Sequence, residues 1–324
     1  MMKHGLMFVI ALYTANVFAG YGGYIGQHDD RSYGKLSDPE YSGIVKLTLN
    51  DGSRCTGVFI SKNLILTNDH CALMCKDNCV AEFWNGSGYE KSNLKIVVYR
   101  KKYQESDGTD WAILFSDKES NFYKPIVPQT TTGQVLRGGY GTLRIIEDNE
   151  IPYLQNLYNE MQQEYYRECK SLEQSKKMAF FECINRKVDK QLEKFGKKPL
   201  FGDSNNFKVQ TCKILGNRSD SSNMVRTDCD SSGGDLGAPL LRSAQIVGLN
   251  NTGQQFVFGE SSVNASAVKT ENFYRYAQET ILKYKDNGNN NAQNNNNNNA
   301  NTNLNNNSEL KQLLEQRLLD FDCD

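Results

Sequence analysis

Charge of one sign is what this chain lacks first. Its 37 Lys and Arg residues stand against 38 Asp and Glu, a formal net charge of -1 over 324 residues. No global positive field exists to hold a polyanion, so a charge-driven binder is disfavoured and no nucleic-acid partner is expected. Histidine is scarce, three residues in all. No His/Cys grouping has convincing zinc spacing, so no metal is expected, and no motif calls for another cofactor. Long hydrophobic runs are missing as well. Beyond the first twenty residues no segment is apolar enough to cross a bilayer, so no stable membrane span is expected.

Cysteine, by contrast, is plentiful. Nine in a chain of this size raise the question of redox compartment. The N-terminus supplies an expected answer. Lys3 gives a basic start, Gly5 to Val17 an apolar stretch too short to span, and Val17-Phe18-Ala19 puts small residues at the two positions read at a cleavage site. Residues 1–19 are expected to be a signal peptide and the protein to be secreted, extracellular or periplasmic, with cysteines free to oxidise. Cys71, Cys75 and Cys79 then suit disulfides better than zinc.

Four textures follow. Residues 20 to about 147 read as short strands: Gly43 to Leu49 alternates, Asn50-Asp51-Gly52 signals a turn, and Thr56 to Ile60, Asn63 to Thr67 and Lys95 to Tyr99 are further apolar runs. Such spacing predicts an all-β barrel or sandwich. About 150–198 is helical. Leu154, Leu157, Tyr158, Met161 and Tyr165 form one stripe, and Phe181, Ile184, Val188, Leu192 and Phe195 a second, both expected to face a core. Strand texture returns from Phe207 to about Val268. A closing amphipathic helix runs from Thr270 to Lys285 through Phe273, Tyr276, Ala277, Thr280, Ile281 and Tyr284.

Residues 287–307 hold fifteen Asn in twenty-one positions. With so little apolar surface to offset ordering entropy, this tract is expected to be a disordered linker. Leu310, Leu313, Leu314, Leu318 and Phe321 then form a C-terminal amphipathic helix over 308–324, with Ser308 as N-cap.

Residues able to carry chemistry sit in three places. Cys55-Thr56-Gly57-Val58-Phe59-Ile60 and Ile65-Leu66-Thr67-Asn68-Asp69-His70-Cys71 would set an imidazole at a barrel rim, with Cys55 and Cys71 able to bridge beneath it. A lone histidine is usually structural. The flanking cysteines and strands raise His70 above that expectation. Asp110 heads the apolar run Trp111-Ala112-Ile113-Leu114-Phe115, and a buried carboxylate can fix an imidazole tautomer. Cys229-Asp230-Ser231-Ser232-Gly233-Gly234-Asp235-Leu236-Gly237-Ala238-Pro239 is a glycine-rich turn before a strand. Such a turn can converge backbone N–H groups on one point, as an oxyanion hole requires.

In these three places, and in Tyr140-Gly141-Thr142, the chain resembles the trypsin-like serine endopeptidases over about residues 24–285, the helical stretch excepted. Gln27-His28-Asp29-Asp30-Arg31 and Ser53-Arg54-Cys55-Thr56-Gly57 lean toward the bacterial glutamyl-endopeptidase branch. The resemblance implies the chymotrypsin fold, two antiparallel six-stranded β-barrels over 20–286, here with an inserted helical hairpin and a C-terminal helix. It implies His70 as general base and Asp110 as its orienting acid. Gly234 and Leu236 would supply the oxyanion amides, and Asp230 a specificity-pocket floor selecting Arg or Lys. The expected disulfides are Cys55–Cys71, Cys75–Cys79, Cys169–Cys183 and Cys212–Cys229, leaving Cys323 odd. One straight helix would hold Cys169 and Cys183 about 21 Å apart, so their bond demands a hairpin turning near Glu173 to Lys177.

The departure is at the centre. The family's motif has Ser after Gly-Asp, and this chain has Leu236, which can neither attack a carbonyl nor share a proton with His70. Sliding Ser231 or Ser232 into its place destroys the match to Pro239. The leading expectation is an inactive pseudoprotease that binds a protein or peptide in its cleft. The alternatives are an active endopeptidase cleaving after Arg or Lys, and a scaffold whose function lies in the helical insertion and tail.

Overall fold

The computed structural model describes residues 24–50, 52–75, 79–99, 108–157, 160, 177–203, 205–251, 257–258 and 265–293. The chain divides into two units, Met1–Ile281 and Leu282–Asp324.

Two short strands, β1 (Tyr24–Ile25) and β2 (Ser32–Tyr33), precede the first barrel. The barrel consists of β3 (Ile44–Thr48), β4 (Arg54–Ser61), β5 (Leu64–Thr67), β6 (Val80–Trp84), β7 (Tyr89–Val98) and β8 (Ala112–Ser116). It closes in the order β3-β4-β5-β8-β7-β6, every pairing antiparallel. The sequence explains the register. β3 and β4 are joined across Gly52, which takes φ +84, a value that costs glycine nothing. Val45, Leu47, Phe59, Ile65, Phe83 and Leu114 fill the interior, with Phe59 edge-on to Phe83 at 4.9 Å.

The second barrel uses β9 (Gly133–Gly139), β10 (Lys208–Asn217), β11 (Met224–Thr227), β12 (Pro239–Arg242), β13 (Gln245–Asn250) and β15 (Ala265–Val268). The order β11-β15-β13-β12-β9-β10 closes through the β10–β11 pairing. β2 pairs with Lys208 and Val209 at the start of β10, and β1 pairs in parallel with β14 (Val257–Phe258). The two six-stranded antiparallel barrels expected from the sequence are therefore the fold.

Between β9 and β10 comes the insertion. Residues 151–157 are helical, and a second helix runs over Lys177–Lys194. Leu154, Leu157, Val188 and Leu192 are buried in a small core with Leu143, Ile146 and Ile25. The insertion thus encloses a residue of β1. Tyr158, Met161, Tyr165 and a turn near 173–176 lie outside the described residues, as do the Phe181 and Ile184 side chains. Phe195 departs from its expected core position and is 62% exposed. The helix stops at Lys194, and Gly196 at φ +67 turns the chain, so the 3.6-residue period no longer applies at 195.

Disulfides join Cys55–Cys71, Cys75–Cys79 and Cys212–Cys229, with Cα separations of 6.3, 4.8 and 5.1 Å. Cys183 is also disulfide-bonded, while Cys169 lies outside the described residues. A 3-10 turn at Thr270–Asn272 leads into the helix Tyr274–Gln293, with Phe273 and Ala277 buried. Phe273 and Tyr276 pack on Trp111, ring centroids 6.1 and 5.3 Å away. The helix continues seven residues into the stretch expected to be a linker. The rest of that stretch, the expected terminal helix and Cys323 lie outside the described residues. Among the described residues no helix is long and apolar enough to cross a membrane.

Candidate active site

β5 ends at Thr67 and hands the chain to the short helix Asp69–Cys75, which places His70 at the rim of the first barrel. Asp110 lies just before β8, the neighbour of β5. Adjacent strands therefore bring together two residues forty positions apart. His70 Nδ1 is 2.8 Å from Asp110 Oδ2, and the His70 amide donates to Oδ1 at 3.0 Å. One carboxylate so fixes both the ring and the backbone that carries it. Asn68 Nδ2 donates to the Asp110 carbonyl at 2.8 Å, and Asp110 is fully buried beside the packed Trp111. With its proton on Nδ1 the imidazole donates to Asp110, and Nε2 keeps the lone pair a general base needs. Nε2 is 3.5 Å from Cys71 Sγ, within the disulfide to Cys55.

The glycine-rich turn is built by its own hydrogen bonds. Asp235 Oδ2 accepts the Ser232 amide at 2.9 Å and its hydroxyl at 3.3 Å, and the Asp235 amide donates to the Ser232 carbonyl at 2.9 Å. Asn250 Nδ2 donates to the Asp235 carbonyl at 3.0 Å and to Ser231 Oγ at 3.1 Å. Gly234 and Gly237 take φ +94 and +81, and a Cβ at either would strike backbone, Tyr140 O or Thr56 O. Thr56 of β4 ties the turn to the first barrel. Its amide donates to the Leu236 carbonyl at 2.8 Å, and its hydroxyl donates to the Gly234 carbonyl at 2.7 Å. Among the described residues the Gly234 and Leu236 amides donate to no protein acceptor.

Three features could not be read from the motif. Leu236 is only 2% exposed and packs within the first barrel's core cluster, with Cys55, Cys71 and Ala72 among its members. The Ser231 and Ser232 hydroxyls are buried and hydrogen-bonded: Ser231 Oγ accepts from Asn250 Nδ2 of β13, and Ser232 Oγ donates to Asp235 and accepts the Leu143 amide. Asp235 meets Arg137 of β9 at 3.2 Å, with neither side chain exposed. A cation inside the apolar strand Val135-Leu136-Arg137-Gly138 was the sequence signal for that pair, and its partner could not be identified without the fold.

The fold has known counterparts. The trypsin family model matches residues 34–180, 147 of the 324 positions, a span that holds His70 and Asp110 and ends before the glycine-rich turn. The solved structure of mouse neuropsin, a serine protease, is similar with a TM-score of 0.51 at 12% identity, over 78% of this chain and 99% of that one. The fold is that of the trypsin-like serine proteases. A Glu endopeptidase structure aligns over 80% of this chain and 99% of its own at 17% identity, with a TM-score of 0.48. No curated protein matches the chain. The family model covers less than half of the chain, and the structural likeness is one of fold.

Within this chymotrypsin fold Asp230 is buried on the second barrel. Its Oδ1 accepts the Gly26 amide and its Oδ2 the Asp30 amide, each at 2.8 Å. Burial pushes its carboxyl up to about 7, against the pull of those two amides. Tyr24 and Ser231 exchange backbone hydrogen bonds alongside. The segment 24–31 is therefore laid against the wall of the glycine-rich turn. It is held further by the buried Asp29–Arg31 pair at 2.7 Å and by Asp29 accepting the Ile146 amide at 2.8 Å.

Among the described residues two groups gather metal-ligating residue types, Cys55-His70-Cys71 and Cys212-Asp228-Cys229. All four cysteines are disulfide-bonded, so neither group offers a thiolate, and the residues present do not suit a metal.

Proposed function

We propose that this protein is a secreted pseudoprotease that binds a protein or peptide segment across the cleft between the barrels and does not hydrolyse it. The observation that carries this is Leu236. A buried isobutyl group stands where a hydroxyl must meet His70 Nε2, while the imidazole–carboxylate pair behind it is complete. Ser231 and Ser232 support the same conclusion, since their hydroxyls are buried and hydrogen-bonded to Asn250 and Asp235 respectively. The Gly234 and Leu236 amides remain donors for a bound carbonyl oxygen, which suits peptide capture. Three disulfides fit an extracellular protein.

The deciding experiment pairs a serine-directed fluorophosphonate probe with peptide esters. The natural chain should neither label nor turn over. Leu236→Ser should label, and His70→Ala in that background should abolish it. Strong labelling of the natural chain would overturn the proposal. A panel of Arg, Lys and Glu esters on the Leu236→Ser variant tests the finer assignments. Preference for Arg or Lys would support Asp230 as the counter-charge, although a cationic side chain must compete with the Gly26 and Asp30 amides. Preference for Glu would place the chain with the glutamyl endopeptidases.

A further inference from the structure

The C-terminal end of the helical insertion carries a charge pattern that the cleft does not use. Residues 186–198 hold Arg186, Lys187, Lys190, Lys194, Lys197 and Lys198 against Asp189 and Glu193, a surplus of four positive charges in a chain with a net charge of -1. Asp189 is engaged inward, its Oδ1 accepting the Leu200 and Phe201 amides at 2.7 and 3.2 Å. Acids of the adjoining loop are engaged too: Glu150 pairs with Arg144 and Asp148 with His28, each at 2.8 Å. Lys190, Lys194, Lys197 and Lys198 are exposed.

Phe195 stands among these lysines, 62% exposed. A braced turn sets its position. The Gly196 amide donates to the Glu193 carbonyl and the Lys197 amide to the Leu192 carbonyl, both at 2.9 Å, with Gly196 in the left-handed region. Beneath it Val188, Leu192 and Leu200 are buried in the insertion's own core, and Lys197 Nζ lies 5.3 Å over the Tyr153 ring. The aromatic ring is thus presented by ordered structure.

Such a patch needs a partner that is apolar where the ring goes and anionic around it. A bilayer surface with acidic headgroups supplies both at the right relative depth, because a ring settles at the headgroup–acyl boundary while lysines reach back to the phosphates. Nucleic acid matches the charge but gives the turn-mounted ring no apolar layer. We propose that Lys190, Lys194, Phe195, Lys197 and Lys198 form an interfacial docking site for anionic phospholipid surfaces. Docking is reversible, since one ring and four lysines fall short of a permanent anchor. It is independent of whether the cleft hydrolyses or only binds.

The test is co-sedimentation of the full chain with vesicles of phosphatidylcholine alone and of phosphatidylcholine containing phosphatidylglycerol as the minor lipid. Binding is expected to the mixed vesicles only and to weaken with added salt. Each neutralised lysine should weaken partitioning about five-fold, so K194Q/K197Q/K198Q should lose about a hundredfold. Phe195→Ser should weaken it roughly ten-fold with the lysines intact. Emission of the Phe195→Trp variant should shift to the blue on the mixed vesicles and stay unmoved on phosphatidylcholine. Equal binding to both vesicle types, or an unaffected triple variant, would overturn the proposal. So would capture of heparin or RNA by a chain that ignores the vesicles.

Discussion

Arg137 and Asp235 face each other at 3.2 Å with neither side chain open to solvent, and their pairing connects β9 to the inside of the glycine-rich turn. Asp235 also accepts the Ser232 amide and hydroxyl, so the carboxylate is the hub on which the turn is folded. Arg137 Nη1 approaches it without hydrogen-bond alignment, which makes charge neutralisation the main contribution of Arg137. Arg137→Met should strand a buried carboxylate and cost about 3–5 kcal/mol in urea unfolding. Converting Asp235 to Leu in the same chain should recover part of that loss, because the double variant buries no unpaired charge. A single-variant cost below about 1 kcal/mol would show that the pair is energetically idle.

Asp230 makes a prediction about pH. Its folded carboxyl titrates at about 7, above the ordinary 3.8, because burial outweighs the Gly26 and Asp30 amides. The folded state therefore binds this proton more tightly than the unfolded chain does. As pH falls from about 8 toward 4, Asp230 should add stability, on the order of 3 kcal/mol. Asp117 and Glu150 act in the opposite sense. Hydrogen bonds from Ser92 and from Arg144 hold their carboxyls low, so their contribution is present above the unfolded value and fades in acid. Comparing chemical denaturation of the natural chain with Asp230→Asn across that range isolates the single group. The difference between the two should change steadily below pH 7, and a flat difference would refute the assignment.

How much of this was legible follows from what is local in the chain. Strand alternation and the Asn50-Asp51-Gly52 turn are local patterns, and they point to an all-β barrel or sandwich. The two barrels and the His70–Asp110 contact were expected only from the family resemblance, through the chain order of His70, Asp110 and the glycine-rich turn. What escaped is tertiary. No spacing rule says that Arg137 meets Asp235, or that Ile25 belongs to the core of an insertion more than a hundred residues away. Nor does composition show that the helix Tyr274–Gln293 continues into asparagines. Phe195 fits a helical stripe by period alone, yet Gly196 ends the helix first and turns the ring outward.

The disulfides should differ in worth. Cys212–Cys229 closes seventeen residues between β10 and the end of β11, whereas Cys75–Cys79 closes only four. On loop-closure entropy the first contributes about 3 kcal/mol and the second about 2. Paired alanine substitutions, compared by thermal and urea unfolding, should rank in that order. Cys55→Ala/Cys71→Ala should in addition disturb the site, since Cys71 adjoins His70 and both cysteines share the core cluster of Leu236.

Leu236 itself carries a stability prediction separate from its chemistry. A side chain 2% exposed in a closed core behaves as a core leucine, so Leu236→Ala should cost about 2–5 kcal/mol through lost transfer energy and the cavity left behind. Leu236→Ser removes the same bulk and adds a hydroxyl that must find a partner. If that hydroxyl reaches His70 Nε2, the serine variant should be no less stable than the alanine one. A hydroxyl left without a partner should instead lose a further 1–3 kcal/mol or so. Urea unfolding of both variants at neutral pH separates the cases. A serine variant that is folded but markedly less stable than the alanine variant would show that the turn has shifted away from His70, so that one substitution cannot restore the nucleophile.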